Sequence, residues 1–547
     1  MKVANFIADF LAQKGVSEIF MLSGTGSIYL DDAFAHQKNM NYICARHEAA
    51  AVVMAEAVAK LTGELGVVVS TTGPGATNAA AGVVEAWVDS LPVLVISGQV
   101  ESSQISNNDR TFGVQGFNVI SHVKSITKYA ATVSNPEKIK YHLEKAIHCA
   151  KSGRPGPVWL DIPMDIQSAE IDLENLESFI SEEKDNNCDT KSIKKLVEQL
   201  SVSKKPVVIF GQGVRSSKSI NNFKNFIKKI DVPVISARMG KDILPYDFRN
   251  YMGLGGYKGQ VTPTKVLQNS DFVISLGTSH SVSFAIGNDK KFACVNIDEK
   301  ILSKKDLSID IPIQGDLKDF FEKFNNIIEN YNLNFSRWTD ECADIKQNNP
   351  IITDKHKYNP INSYYLLNRL DDLSDSHHIF VNDAGSANYV SSQTLKLNKG
   401  QRELTSGAFY SMGLAIPLAI GAASCSPYSQ VIAVTGDGSI ELNIQELQTV
   451  QLNNLNIKIF VINNGGYASI RVSQDSMCGG RYTDDEEILN FSKVADTFNM
   501  PFYFLDDYKK LDYEIKEILA IDGPALVEVL CDPNQRIMSP YEVKGNV

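Results

Sequence analysis

The chain has 547 residues, 43% of them hydrophobic and 21% charged, with a formal net charge of −11. At roughly 150 residues per domain that is a multidomain protein, with enough core that no disulfide or metal staple is needed. The acidic balance argues against a nucleic-acid surface, which wants a basic excess, and no apolar run approaches the ~20 residues that span a bilayer.

The start, Met1-Lys-Val-Ala-Asn-Phe-Ile-Ala-Asp-Phe10, lacks the features of a secretory signal and reads as an amphipathic helix. Arg46-His-Glu-Ala-Ala-Ala-Val-Val-Met-Ala-Glu-Ala-Val-Ala-Lys60 begins charged and becomes apolar. That pattern predicts a helix with Glu48 in its first turn, where a carboxylate favours the macrodipole; a plain capping role for Glu48 stays open. Short β-branched runs follow at 66–70, 93–97, 207–210, 272–276, 378–382, 431–435 and 457–462, with helical patterns between them. Such alternation predicts parallel sheets with helices on both faces. Gly211-Gln-Gly213 after a strand is part of a dinucleotide fingerprint, and a tight turn explains it equally well.

Two polar stretches, 168–192 and 343–360, read as linkers. The expected organisation is α/β throughout: three doubly wound parallel-sheet domains over 1–170, 190–342 and 360–547. The eight cysteines stand singly with no CxxC pair, which signals neither zinc nor disulfides. Free thiols fit a reducing compartment, so the expected location is cytoplasmic.

Val431-Ile-Ala-Val-Thr-Gly-Asp-Gly-Ser439 is a buried strand running into a glycine turn. It puts Asp437 at the carboxyl end of a parallel strand, where open α/β sheets place ligands. A helix at 444–451 follows, offering its amino end to a diphosphate. The next strand, 457–462, ends in Asn463-Asn-Gly-Gly-Tyr467. Neighbouring strands ending in Asp and Asn converge on one hard cation, and magnesium takes oxygen ligands shared with phosphates. Asp437, Asn464 and the carbonyl near Gly466 are the expected ligands.

This Gly-Asp-Gly and Asn-Asn pairing resembles the thiamine-diphosphate motif. Residues 46–100, with Ser70-Thr-Thr-Gly-Pro-Gly75 and Trp87-Val-Asp-Ser-Leu-Pro92, resemble the pyrimidine-binding domain of the acetolactate synthase family. Gly153-Arg-Pro-Gly-Pro-Val-Trp-Leu-Asp-Ile-Pro163, Thr405-Ser-Gly407 and Met412-Gly413 match the same family. The resemblance covers nearly the whole chain and is weakest in the middle. It implies a pyrimidine-binding, a central Rossmann-like and a diphosphate-binding domain, with thiamine diphosphate and magnesium as cofactors. Glu48 maps onto the glutamate that shifts the aminopyrimidine toward its imino tautomer, making it a base toward the thiazolium. Met412 props the bent cofactor, the Tyr410 carbonyl and Met412 amide hold its aminopyrimidine, and the Asp383-Ala-Gly385-Ser386 loop helps cradle the diphosphate. Gly436, Asp437, Gly438, Ser439, Asn464, Gly466 and Tyr467 complete that end. Gly24 stands at an oxyanion-side position, and Gln115 and Lys128 match groups lining the substrate channel. In the family Glu48 of one chain faces the cofactor of another, which implies a homodimer or homotetramer with shared sites.

Two departures bear on the substrate. The family's tryptophan that selects the second keto acid is Ser473 here, and its carboxylate-gripping arginine in the middle domain is Ser279. Removing one partner of a buried charge pair costs about 2–5 kcal/mol. The expected reaction is decarboxylation of a 2-keto acid, pyruvate foremost, with ligation of the two-carbon unit to a carbonyl acceptor such as a keto-sugar. Acetolactate synthesis and simple decarboxylation are the alternatives. FAD stays an open question, because the arginine-rich loop that holds it in the synthases is replaced around Ser279.

Overall fold

The computed structural model describes residues 1–106, 109–181, 186–481, 483 and 488–541. The charged stretch 182–185 of the first expected linker lies outside them, as do the last six residues of the expected third domain. Three parallel six-stranded sheets follow one another along the chain. The first holds β1 (Glu18–Met21), β2 (Asn41–Cys44), β3 (Gly66–Ser70), β4 (Val93–Gln99), β5 (Tyr129–Thr132) and β6 (Val158–Pro163). The second holds β7 (Pro206–Phe210), β8 (Val234–Ser236), β9 (Tyr251–Leu254), β10 (Phe272–Leu276), β11 (Lys291–Asn296) and β12 (Ile311–Gln314). The third holds β13 (His378–Asn382), β14 (Arg402–Leu404), β15 (Gln430–Gly436), β16 (Ile457–Asn463), β17 (Phe502–Leu505) and β18 (Ala525–Leu530). The central strands are buried on both faces, as the β-branched runs require once helices cover a parallel sheet.

Strand order decides where ligands go. The first sheet runs β2-β1-β3-β4-β6-β5 and the third runs β14-β13-β15-β16-β18-β17, the same order shifted along the chain. The middle sheet runs β9-β8-β7-β10-β11-β12, the 3-2-1-4-5-6 order of dinucleotide-binding folds. Crevices therefore open at the carboxyl ends of β1 and β3, of β7 and β10, and of β13 and β15, where the order reverses.

The first and third domains share one hydrophobic core, which runs from Val52 and Ala55 through Ile416 and Ala419 to Val431 and Ile459. The helix Glu48–Thr62 is its hub and is buried from Ala50 to Lys60. Its run of small residues lets neighbours approach closely: a Cβ on Gly421 of the helix Ala415–Cys425 would stand 2.0 Å from the Met54 carbonyl oxygen. The second expected linker needs a correction at its start, because 343–347 continue the helix Ser336–Gln347, whose Trp338 and Cys342 are buried. Its polar residues face solvent, so composition alone read as a linker. Likewise 190–192 open the helix Thr190–Val202, capped by the Asp189 carboxylate. Among the described residues no helix is long and apolar enough to cross a membrane.

Candidate active site

Gly24, Glu48 and Gln115 gather at the crevice of the first sheet. Gly24 follows β1, and a Cβ there would come within 2.6 Å of the Thr71 side chain at the end of β3. The Thr71 hydroxyl also accepts from the Gly26 N–H at 3.1 Å. Gln115 adopts a left-handed φ of 64°, and its carbonyl oxygen would sit 2.0 Å from a Cβ on Gly73, so only glycine fits at 73. The Gln115 side chain is exposed. Below it Thr72 donates to Gln99 Oε1 at 2.9 Å, and Gln99 Nε2 donates to the fully buried Asp161 at 3.0 Å.

Glu48 opens its helix behind His47, whose Nδ1 accepts from the Ala49 N–H at 3.2 Å. The Glu48 side chain is 6% exposed. Its Oε2 accepts from Asn78 Nδ2 at 3.1 Å, and Gly75, lacking a Cβ, leaves room for Oε1. No cation pairs with Glu48 among the described residues, and no hydrogen bond there joins its carboxylate to the third domain. The carboxylate is thus shielded and aimed, yet not neutralised.

The second group lies at the crevice of the third sheet. Asp437 is 2% exposed. Its Oδ1 accepts from the Gly438 N–H at 2.8 Å, and its Oδ2 from Asn464 N at 3.0 Å and Gly466 N at 2.9 Å. Burial pushes the Asp437 carboxyl above the usual range, while these N–H groups pull it back. The carboxylate thereby ties the end of β15 to the turn after β16. The Asn464 carboxamide has no hydrogen-bond partner among the described residues. Arg471, 5% exposed on the helix Ala468–Met477, reaches back to clamp the turn, donating to the carbonyls of Gly465 and Asn464, the latter at 2.7 Å.

Three helix amino ends meet beside this carboxylate: Gly385–Thr394, Asp437–Ile440 and Ala468–Met477. The Ser386 and Ser469 hydroxyls stand 3.4 Å apart, and the Tyr467 ring would lie 2.6 Å from a Cβ on Gly438. A Cβ on Gly436 would meet nothing nearer than Ser439 at 4.0 Å. The protein's own packing therefore does not require glycine at 436, and the backbone there borders open space. Amino ends, hydroxyls and open glycine suit a diphosphate. The Asp437 carboxylate, the Asn464 carboxamide and the Gly466 carbonyl form an oxygen set that suits magnesium sharing ligands with phosphate. No cluster of three or more His, Cys, Asp or Glu gathers among the described residues.

Asp383 is placed differently from its neighbours in the loop. It is fully buried, and its Oδ1 accepts from Ala384 N at 2.8 Å and Gly413 N at 2.9 Å. Its Oδ2 accepts from Ala415 N at 3.1 Å and the Thr435 hydroxyl at 2.9 Å. With four internal donors Asp383 anchors the Tyr410–Ala415 turn, and Gly385 and Ser386 form the face beyond it. Tyr410 itself has a φ of 56°. Its carbonyl and the Met412 N–H have no hydrogen-bond partner among the described residues, which leaves an acceptor and a donor two residues apart. The loop is pinned to the first domain: Ser411 donates to Glu85 at 2.9 Å and Gly407 N to Asp89 at 3.0 Å. The buried Lys60 donates to Asp89 at 2.6 Å and to the Thr405 carbonyl at 2.9 Å.

Of two residues expected to line the substrate side, Lys128 turns away from these clusters, and Ser473 lies one helical turn beyond Ser469. Lys128 donates to the carbonyls of Ser152 and Arg154, and so holds the Gly153-Arg154-Pro155 turn. Ser473 is exposed and donates to the Ser469 carbonyl of its own helix at 3.1 Å. Sequence reasoning missed Asn78, Ser469 and Arg471. Only Arg471 left a trace, one helical turn beyond the Asn-Asn turn it clamps.

Two sites at matching crevices, one presenting a buried glutamate and the other an Asp–Asn oxygen set beside helix amino ends, define a thiamine-diphosphate enzyme. Residues 1–124 match the model of the thiamine pyrophosphate enzyme N-terminal TPP binding domain, 193–324 the central domain, and 383–529 the C-terminal TPP binding domain. The chain is 30% identical to the acetolactate synthase large subunit of Lactococcus lactis subsp. lactis, over 98% of this chain and 93% of that protein. It is 29% identical to the acetolactate synthase isozyme 1 large subunit of Escherichia coli, over 98% and 94% of the two chains. With the chloroplastic acetolactate synthase of Arabidopsis thaliana it shares 28% identity, over 100% and 83%. The chain belongs to the acetolactate synthase family of thiamine-diphosphate-dependent enzymes.

Proposed function

We propose that the protein decarboxylates a 2-keto acid of the pyruvate type and ligates the two-carbon unit to a second carbonyl compound. Thiamine diphosphate, when bound, supplies the electron sink for the carbanion left by decarboxylation. The carrying observation is Glu48, an unpaired carboxylate kept 6% exposed and oriented by Asn78. It holds or releases a proton at the edge of the pyrimidine ring. The Tyr410 carbonyl and Met412 amide orient that ring, with Met412 beneath it. Gly385, Ser386, Gly436, Gly438, Ser439 and Tyr467 receive the diphosphate, and Asp437, Asn464 and the Gly466 carbonyl hold magnesium. Gly24 and Gln115 border the substrate. Among the described residues no hydrogen bond or ion pair joins the Glu48 carboxylate to the Asp437 cluster, which supports a working unit of at least a homodimer in which each copy completes its partner's site. The eight cysteines, none of which forms a disulfide among the described residues, support a reducing, cytoplasmic setting.

Acetolactate synthesis is the reading that the relatives' names favour. Ser279 and Ser473 favour a different acceptor, a bulkier one such as a keto-sugar, because neither position carries the cation or the ring that fits a small keto acid. A flavin is not part of the reading: Ser279 and Ser281 face each other at 2.9 Å in the middle-domain crevice, and no arginine stands on their loop. A purified protein with yellow flavin absorbance would reverse that point. The deciding experiment is to incubate the magnesium- and thiamine-diphosphate-loaded protein with pyruvate alone and follow products by NMR. Rapid acetolactate identifies a synthase. Slow carbon dioxide release that quickens with an added keto-sugar identifies the wider acceptor. No carbon dioxide at all removes the proposal.

A further inference from the structure

Arg238 begins the short turn Arg238–Ile243 after β8, in the middle domain. Its side chain reaches across to the third domain and is 6% exposed. Nη1 donates to Asn388 Oδ1 at 2.9 Å, and Nη2 makes only a long contact, 3.4 Å, to the Tyr257 carbonyl. The guanidinium lies 5.7 Å from the ring centre of Tyr389 and 5.4 Å from that of Tyr410. Nε has no hydrogen-bond partner among the described residues. Aromatic faces and one neutral amide are poor compensation for a charge removed from water.

Arg238 also lines the cavity of about 400 Å³ at the crevice of the middle sheet, together with Met239, Ser279, Gly407 and Ala408. Among the described residues two other lysine or arginine side chains line it, and both are paired: Lys151 with Glu64 and Arg154 with Asp298. Arg238 has no carboxylate within 4.0 Å among the described residues. Two carboxylates of neighbouring elements are taken, Asp242 by Arg215 and Arg402, and Glu403 by Lys241. Among the described residues the cavity wall thus carries one buried guanidinium with no carboxylate partner, beside the ring of Tyr410, the residue whose carbonyl is proposed above to orient the cofactor.

We propose that Arg238 determines acceptor specificity by receiving an oxyanion, carboxylate or phosphate, on the acceptor that enters this cavity. A guanidinium presents a fork of donors matched to either group. The inference rests on the carboligation reading and deepens it. Ser279 leaves one wall of the cavity without a cation, and Arg238 supplies one from another loop, closer to Tyr410, so the anion sits elsewhere on the acceptor than it would against position 279.

The test uses the loaded holoenzyme with pyruvate as donor and matched acceptors: 2-ketobutyrate against butanone, and glyceraldehyde 3-phosphate against glyceraldehyde. Carbon dioxide release from pyruvate reports the functional reading on its own. The wild-type protein should favour one charged acceptor at least tenfold in kcat/KM over its neutral counterpart, and which pair shows it separates carboxylate from phosphate. Arg238→Gln should bring that ratio near one, mainly by raising KM for the charged acceptor, and Arg238→Lys should restore part of it. An absent preference in the wild type overturns the proposal. So does an unchanged ratio in Arg238→Gln, or equal losses with charged and neutral acceptors, which mark a structural role. If pyruvate is not decarboxylated, calorimetric titration of 2-ketobutyrate and glyceraldehyde 3-phosphate still decides the matter: binding lost in Arg238→Gln supports it, and binding retained there, or absent from the wild type, overturns it.

Discussion

Asn78 Nδ2 donates to Glu48 Oε2 at 3.1 Å, from the fifth residue of one helix to the first residue of another. The helix carrying Asn78 starts with Pro74 at its first position after Gly73, a start that needs no N–H and has a preset φ. One amide therefore fixes the rotamer of the carboxylate that the proposed chemistry depends on.

Glu48→Gln should lower kcat by about 10²–10⁴-fold, the usual worth of a general acid–base group, with thiamine diphosphate still bound by calorimetry. Asn78→Ala should lower kcat by roughly 10–100-fold, since one hydrogen bond to a charged group is worth about 1.5–3 kcal/mol. Its KM for the donor should change little. Turnover unaffected in Glu48→Gln would dismiss the proposed mechanism.

Asp437→Ala should abolish retention of the cofactor. The change removes the one carboxylate among the expected ligands and also the acceptor that ties Asn464 and Gly466 to β15. Dialysis against a chelator should strip the wild-type protein likewise, with magnesium plus thiamine diphosphate restoring it. Cofactor fluorescence after gel filtration reads both; retention in the chelated wild type would count against the metal assignment.

Arg471→Met should weaken magnesium-dependent cofactor binding by about 10–100-fold, the usual effect of losing a group that orients metal ligands. Arg471 touches the carbonyls of Gly465 and Asn464 rather than the expected ligand atoms, so higher magnesium should recover most activity. A magnesium titration of the variant checks this, and an unchanged midpoint would leave Arg471 a purely structural residue.

Asp161 makes stability depend on pH near neutrality. Burial pushes its carboxyl up to about 7, against hydrogen bonds from Ser97, Gln99 and Thr132 that hold it down. A raised folded-state pKa means the native protein binds more protons than the unfolded chain. The stabilisation is complete below the unfolded value of 3.8 and fades as pH rises through about 7. Asp161→Asn should therefore flatten the fall in Tm between about pH 4 and 7, on the order of a few kcal/mol at most. Parallel Tm profiles for the two proteins would rule this out.

Much of this molecule was legible in the chain itself. Strands such as Gly66–Ser70 and Phe272–Leu276 follow from β-branched runs that only a doubly covered parallel sheet buries. The Asp437 and Asn464 positions follow from glycine turns at strand ends, because local backbone chemistry alone demands glycine where a ligand comes close. Contacts between distant segments were not legible. The pairing of Glu48 with Asn78, the saturation of Asp383 by Gly413 and Thr435, and the reach of Arg238 to Tyr410 join residues 30 to 172 positions apart. Lys128, read as a channel residue, turns instead to the 152–154 carbonyls for the same reason. Local pattern reports which face a side chain turns to the core, with a period of 2 or 3.6 residues. Only the strand order, which sets which loops meet at each crevice, decides what that side chain finds there.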